Sequence, residues 1–189
     1  MIAVDQSKLI LNRRELQARL QGTPIEQIRN VLTECETQLR QALDCKYFYR
    51  ETPVNLTADG VDLGFTQIQS KNLRKNLQNC KNAYIFAATL GHGVDRLLRS
   101  IGLTSPLKQF LIDALASTAI EALCDYGQDN LPQATIARFS AGYGDFPLHH
   151  QQEFLDFLQA GKRLGITLRS SDLMNPTKSV TAVIGIKKI

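Results

Sequence analysis

Ala83-Tyr84-Ile85-Phe86-Ala87-Ala88-Thr89-Leu90 is an almost unbroken apolar run of strand length, closed by Gly91-His92-Gly93. A strand with one wet face alternates apolar and polar residues, so a run with no polar beat predicts burial on both faces. Something must therefore cover each side of the sheet that holds it. The flanking sequence supplies candidates. Upstream, Asn12 is placed to cap a short helix over residues 13–20, closed by Gly22. Thr23-Pro24 opens a longer helix, whose Ile25, Ile28, Val31, Leu32, Cys35, Leu39 and Leu43 fall on one stripe.

Residues 46–54 and 61–68 read as extended segments, with Asp59-Gly60 between them where a hairpin turn belongs. A helix is expected over residues 70–77 and a short one over 94–100. Pro106 begins the longest helical pattern, which runs to about Asn130 and ends before Pro132. Residues 135–140 look extended, 141–147 form a glycine-bearing loop, and 150–163 look helical. A β-branched strand over 180–187 follows. Helices and strands intermix without regular alternation, which favours an α+β fold over a doubly wound one. The sheet is expected to be mainly antiparallel or mixed and flanked by helices. One domain over 1–189 is expected, with 1–45 as its largely helical N-terminal part.

The 189 residues are 43% apolar and 21% charged, with a formal charge of +4. That suits a soluble protein with a sizeable core. Basic residues are spread out rather than striped among aromatics, so nucleic acid is not an expected partner. No apolar run approaches the roughly 20 residues that cross a bilayer, so neither is a membrane. Mild positive charge suits an anionic one. No secretory signal is evident, and Cys35, Cys45, Cys80 and Cys124 form no CxxC pair, so idle thiols in a reducing cytoplasm are expected. No metal site is expected. Adjacent His149 and His150 are poorly disposed to share one ion and read as surface histidines. GxGxxG, Walker and GxSxG patterns are absent.

The stretch Arg138-Phe139-Ser140-Ala141-Gly142-Tyr143-Gly144-Asp145-Phe146-Pro147 carries the chemistry. An arginine leaving a strand before a two-glycine turn can aim its fork into a cleft, where it suits a carboxylate. Taken alone, such an arginine also reads as an ordinary surface charge. On the long helix Asp113, Ser117 and Glu121 recur every four residues and share one face. That face reads either as solvated or as placing Glu121 beside Arg138. Together, the carboxylate and guanidinium would complement an amino-acid zwitterion.

This Arg-x-x-x-Gly-Tyr-x-x-x-Pro string resembles the signature of the activation domain of cobalamin-dependent methionine synthase. Gly165-Ile166-Thr167-Leu168 to Met174, then Pro176 and Ser179-Val180, is similar to a second segment of that family. The resemblance implies a curved α+β fold with a shallow groove for S-adenosylmethionine. It also implies a role in reactivation, in which S-adenosylmethionine and an electron from a flavodoxin-type donor restore methylcobalamin from cob(II)alamin. Under it, Arg138 would hold the ligand carboxylate, and backbone at Ser140, Ala141 and Gly142 would contact the adenosyl part. Tyr143 would sit near the methyl and take the catalytic position. Glu121 would meet the amino end, and Lys178 and Ser179 would line the same groove.

The chain has no Asp-x-His-x-x-Gly pattern, so a partner, methionine synthase or a related corrinoid protein, would bring the cobalamin. Where the family reads Tyr-Pro-Ala-Cys-Pro, this chain reads Tyr143-Gly144-Asp145-Phe146-Pro147, and the added glycine predicts a more flexible loop. Two other functions stand beside a trans-acting reactivation subunit. One is a docking module for a corrinoid protein that makes no use of S-adenosylmethionine, and the other is an independent small-molecule methyltransferase.

Overall fold

The computed structural model describes residues 1–20 and 23–188, and its centre is a four-stranded antiparallel sheet. Its strands are β1 (Ile2–Ala3), β2 (Lys46–Pro53), β6 (Asn82–Thr89) and β9 (Ser179–Gly185), in that spatial order. The apolar run is β6, paired with β2 from Lys46↔Thr89 to Pro53↔Asn82 and with β9 from Ala83↔Gly185 to Thr89↔Ser179. Period-two alternation divides β6 between two cores. Tyr84, Phe86 and Ala88 enter one, and Ala83, Ile85 and Ala87 the other. This is why the strand needs no polar beat.

On the first face lie α1 (Arg13–Arg19), α2 (Ile25–Ala42), α4 (His92–Gly102) and α5 (Pro106–Asp129). Asn12 caps α1 by accepting the N–H groups of Arg14 and Glu15. The expected closure of this helix by Gly22 lies outside the described residues. In α2, Leu32, Cys35 and Leu39 form the buried stripe. Ser105 caps α5 and Pro106 occupies its first turn, where a missing N–H costs nothing.

The second face carries two small sheets and three short helices. Strands β3 (Asn55–Leu56), β4 (Val61–Asp62) and β5 (Gln67–Ile68) make one sheet. Helices α3 (Lys71–Asn76), α6 (Gln151–Leu158) and α7 (Ala160–Leu164) follow, and β7 (Thr167–Leu168) pairs with β8 (Met174–Asn175). The result is α+β with an antiparallel sheet flanked by helices, as the sequence predicts.

Four expectations are corrected. Asp59-Gly60 joins β3 to β4 rather than the two long segments, because β2 is claimed along its whole length by β6. A Cβ at Gly60 would lie 1.9 Å from the Ile68 carbonyl oxygen, so glycine is required there. The helix after Gly91 begins at His92 rather than Val94. The 150–163 helix is broken at Gln159, whose φ of 52° separates α6 from α7. His150 is buried, its Nδ1 2.8 Å from Glu153, rather than on the surface. Among the described residues, no helix is long and apolar enough to cross a membrane.

Candidate functional site

Arg138 is placed by the segment that precedes the glycine turn. Residues 135–140 run beside the free edge of β9, bridged only at Thr135↔Ile186 and Phe139↔Val183. Phe139 and Val183 exchange both backbone hydrogen bonds, at 2.9 and 2.8 Å. Neighbouring side chains of an extended segment leave on opposite sides. Phe139 therefore joins the second core against Phe146, and Arg138 turns toward α5. There its Nη1 donates to Asp125 Oδ1 at 2.7 Å and to Gln128 Oε1 at 3.1 Å. Its Nη2 donates to Glu121 Oε2 at 3.2 Å.

Burial opposes the guanidinium charge. The hydrogen bond to Asp125 and the charges around it outweigh that, and the Arg138 pKa is raised. The polar face of α5 thus continues one step past Glu121. Asp113 and Ser117 hold Lys178 Nζ at 2.8 Å each, while Glu121 and Asp125 hold Arg138. It is a face lined by two cations.

The glycine turn is closed by Gly142 donating to the Phe146 carbonyl at 2.8 Å and Phe146 donating to the Tyr143 carbonyl at 3.0 Å. Gly142 has a φ of +89° and Gly144 of +57°, the left-handed region that side chains disfavour. Phe146 is driven into the second core, and Tyr143, at 68% exposure, is left standing outward. The loop is not loose. Asp145 accepts the N–H groups of Lys71 (2.8 Å) and Asn72 (3.2 Å) and the Ser70 hydroxyl, tying the turn to the start of α3. Those donors, the Ser70 hydroxyl first, hold its carboxyl below the usual aspartate range.

Between these elements lies a groove of about 430 Å³ lined by Glu121, Arg138, Ser140, Ala141, Tyr143 and Ser179, with Phe139, Gln151, Met174, Val180 and Thr181. This volume falls in the range of roughly 300–1,000 Å³ seen for small-molecule sites. Six of the eight site residues expected from sequence meet here. Gly142 shapes the turn without lining the groove, and Lys178 spends its ammonium on Asp113 and Ser117. The Ser179 hydroxyl donates to Thr89 at 2.8 Å, so it clasps β9 to β6. Asp95, in the first turn of α4, accepts the Thr177 N–H at 3.0 Å and also its hydroxyl, fixing the approach to β9.

Sequence reasoning overlooks Asp125, although the four-residue spacing of Asp113, Ser117 and Glu121 leads to it. It also overlooks Gln151, the first residue of α6, for which the sequence gives no signal. Gln151 is 6% exposed, and its Oε1 is sealed from solvent with no hydrogen-bond partner among the described residues. An amide oxygen left so costs about 1–3 kcal/mol.

No family profile and no curated protein sequence matches the chain. Solved structures do. A crystal structure of the MetH reactivation domain bound to AdoHcy superposes with a TM-score of 0.73 over 98% of this chain and 77% of that one. The chain has the reactivation-domain fold. The two sequences are 14% identical, so the likeness is one of architecture. In that reactivation domain the bound molecule is AdoHcy, the demethylated form of S-adenosylmethionine.

Proposed function

We propose that the groove binds S-adenosylmethionine and that the chain serves in trans as a reactivation subunit for a cobalamin-dependent methionine synthase or related corrinoid protein. The observation that carries this reading is the meeting of Arg138, Glu121 and Tyr143 in one groove of a reactivation-domain fold. Three of the five N–H donors of Arg138 are taken by Asp125, Gln128 and Glu121, which fix the plane of the fork. The Nε–H and the second Nη2–H are the pair offered to a ligand carboxylate. Glu121, 39% exposed, keeps an oxygen for the ammonium. Backbone at Ser140 and Ala141 meets the adenosyl part, and the outward Tyr143 ring stands beside the sulfonium methyl at the protein surface.

The chain's contribution is positional. It holds the methyl at an open rim where a partner's cobalamin can approach, and the corrin metal supplies the intrinsic reactivity. A flavodoxin-type donor supplies the electron, and the assembly works in the cytoplasm.

Calorimetric titration with S-adenosylmethionine tests the assignment. Arg138→Ala should weaken binding by about 2–4 kcal/mol, extrapolating from roughly 1.5–3 kcal/mol per charge-assisted hydrogen bond. Equal binding by both proteins removes Arg138 from the site. A second reading, a docking module that does not use S-adenosylmethionine, draws on the partners already holding Arg138. It predicts no binding by either protein, together with capture of a cobalamin-loaded corrinoid protein.

A further inference from the structure

Six of the ten exposed large apolar side chains among the described residues fall into two groups. Tyr143, Leu148 and Leu173 stand at the groove. Tyr143 lines it, Leu148 lies against the Gly142 turn, and Leu173 adjoins the groove-lining Met174. Leu103, Leu107 and Phe110 stand at the corner where α4 turns into α5, and Leu103 is 89% exposed. The corner is pinned in place. Thr104 and Ser105 both donate to the Ile101 carbonyl, and the Gln109 amide donates to the Leu98 carbonyl at 3.3 Å.

Helix positions three and four apart share a face. Leu107, Phe110, Asp113, Ser117 and Glu121 follow that spacing, so one face of α5 leads from the corner to the groove over about 21 Å. From Asp113 onward the chain covers this face itself, with Lys178 on Asp113 and Ser117 and Arg138 on Glu121. Before Asp113 it stays open at Phe110 and Leu107. The free charge beside that opening has one sign. Arg96 and Arg99, on the exposed side of α4, make no ion pair among the described residues. Asp95 is spent on Thr177, and Lys108 on Glu34.

Resting on the reading that a partner protein brings cobalamin to the groove, we propose that the α4–α5 corner docks that same partner, which meets it with an apolar patch edged by carboxylates. Size and continuity name the occupant. A stable protein interface takes about 800 Å² from each side, a patch roughly 30 Å across. A protein whose corrin reaches the Tyr143 rim therefore also reaches the corner, about 21 Å along the same face. Phe110 is the anchor, since a few aromatic side chains carry most of the binding at such interfaces. Arg96 and Arg99 steer the acidic edge of the partner onto it.

The test is surface plasmon resonance of the whole chain against an immobilised, cobalamin-loaded methionine synthase that lacks an activation domain of its own. Phe110→Ser should weaken the association about 30-fold, the share of one interface hot spot. The double change Arg96→Glu and Arg99→Glu should slow association and remove its salt dependence. Calorimetry should find S-adenosylmethionine binding unchanged in both proteins. Wild-type affinity for the synthase in both variants overturns the corner and leaves the groove reading standing. A wild type that does not bind the synthase overturns the partner reading and the corner together. Sedimentation of the chain alone and flotation with phosphatidylglycerol vesicles address other occupants. Self-association or vesicle binding that Phe110→Ser abolishes assigns the corner to a second copy or a membrane, and overturns the proposal.

Discussion

The Asp145 carboxylate accepts the backbone N–H of Lys71 at 2.8 Å, joining the Tyr143 turn to a helix seventy-four residues earlier in the chain. Two glycines alone would leave that turn free to move. This one contact, with Ser70 and Asn72 beside it, makes the rim of the groove part of the fold. Asp145→Ala should lower Tm by about 2–4 °C, which is what losing one helix cap costs a domain of this size. It should also weaken S-adenosylmethionine binding, since Tyr143 loses its anchor. Differential scanning fluorimetry and calorimetry check the two effects separately.

The same carboxylate predicts a pH dependence. Its pKa is lowered in the folded protein, chiefly by the Ser70 hydroxyl. A lowered folded pKa means the native state holds the proton less tightly than the unfolded chain. The contribution is therefore present above the ordinary aspartate range and is lost as pH falls through the folded value. Asp145→Asn should flatten the acid limb of the stability curve below the ordinary aspartate range of about pH 4. Urea unfolding at stepped pH measures it, and an unchanged acid limb would remove Asp145 as its source.

Gly127 sits inside α5, where alanine would ordinarily gain about 1 kcal/mol of helix propensity. Here a Cβ would lie 2.8 Å from Phe86 Cζ and 3.3 Å from Tyr47 Cγ, both on core rings. Overpacking of that kind costs about 1–3 kcal/mol. Gly127→Ala should therefore be destabilising by up to about 2 kcal/mol in urea denaturation. A variant more stable than wild type would show that the helix–sheet contact yields.

All four cysteines are buried and free. Burial pushes the Cys45 and Cys124 thiols up to about 12, and raises Cys35 and Cys80 as well. The thiolate is the reactive form, so an aromatic disulfide reagent at pH 8 should titrate none of them in the native protein. After denaturation it should titrate all four. Rapid native reaction would mark a thiol exposed by local opening.

Much of this was legible because single-residue chemistry decided it. The both-sided burial of β6, the cap at Asn12, Pro106 at the start of α5, and the glycine turn after Arg138 are local properties. The break at Gln159 was not legible, because an amphipathic stripe continues across it and only packing forces that residue to a positive φ. His150 looked like surface because nothing in the sequence indicates that the Phe146 ring will pack against it. Lys178 and Ser179 adjoin in sequence yet serve different ends, since consecutive residues at the start of a strand leave on opposite faces.

The sequence by itself determined the long helices and the central buried strand, the α+β class, and the adjacency of an arginine to a glycine turn, because these follow from periodicity and backbone freedom. Tertiary structure alone decided that Asp125, Gln128 and Glu121 orient Arg138, that Asp145 fixes the turn, and that Gln151 is buried unpaired at the groove. Those are contacts between distant segments. Their geometry depends on how β9 is laid beside β6 and how α5 crosses the sheet, and no local pattern encodes that.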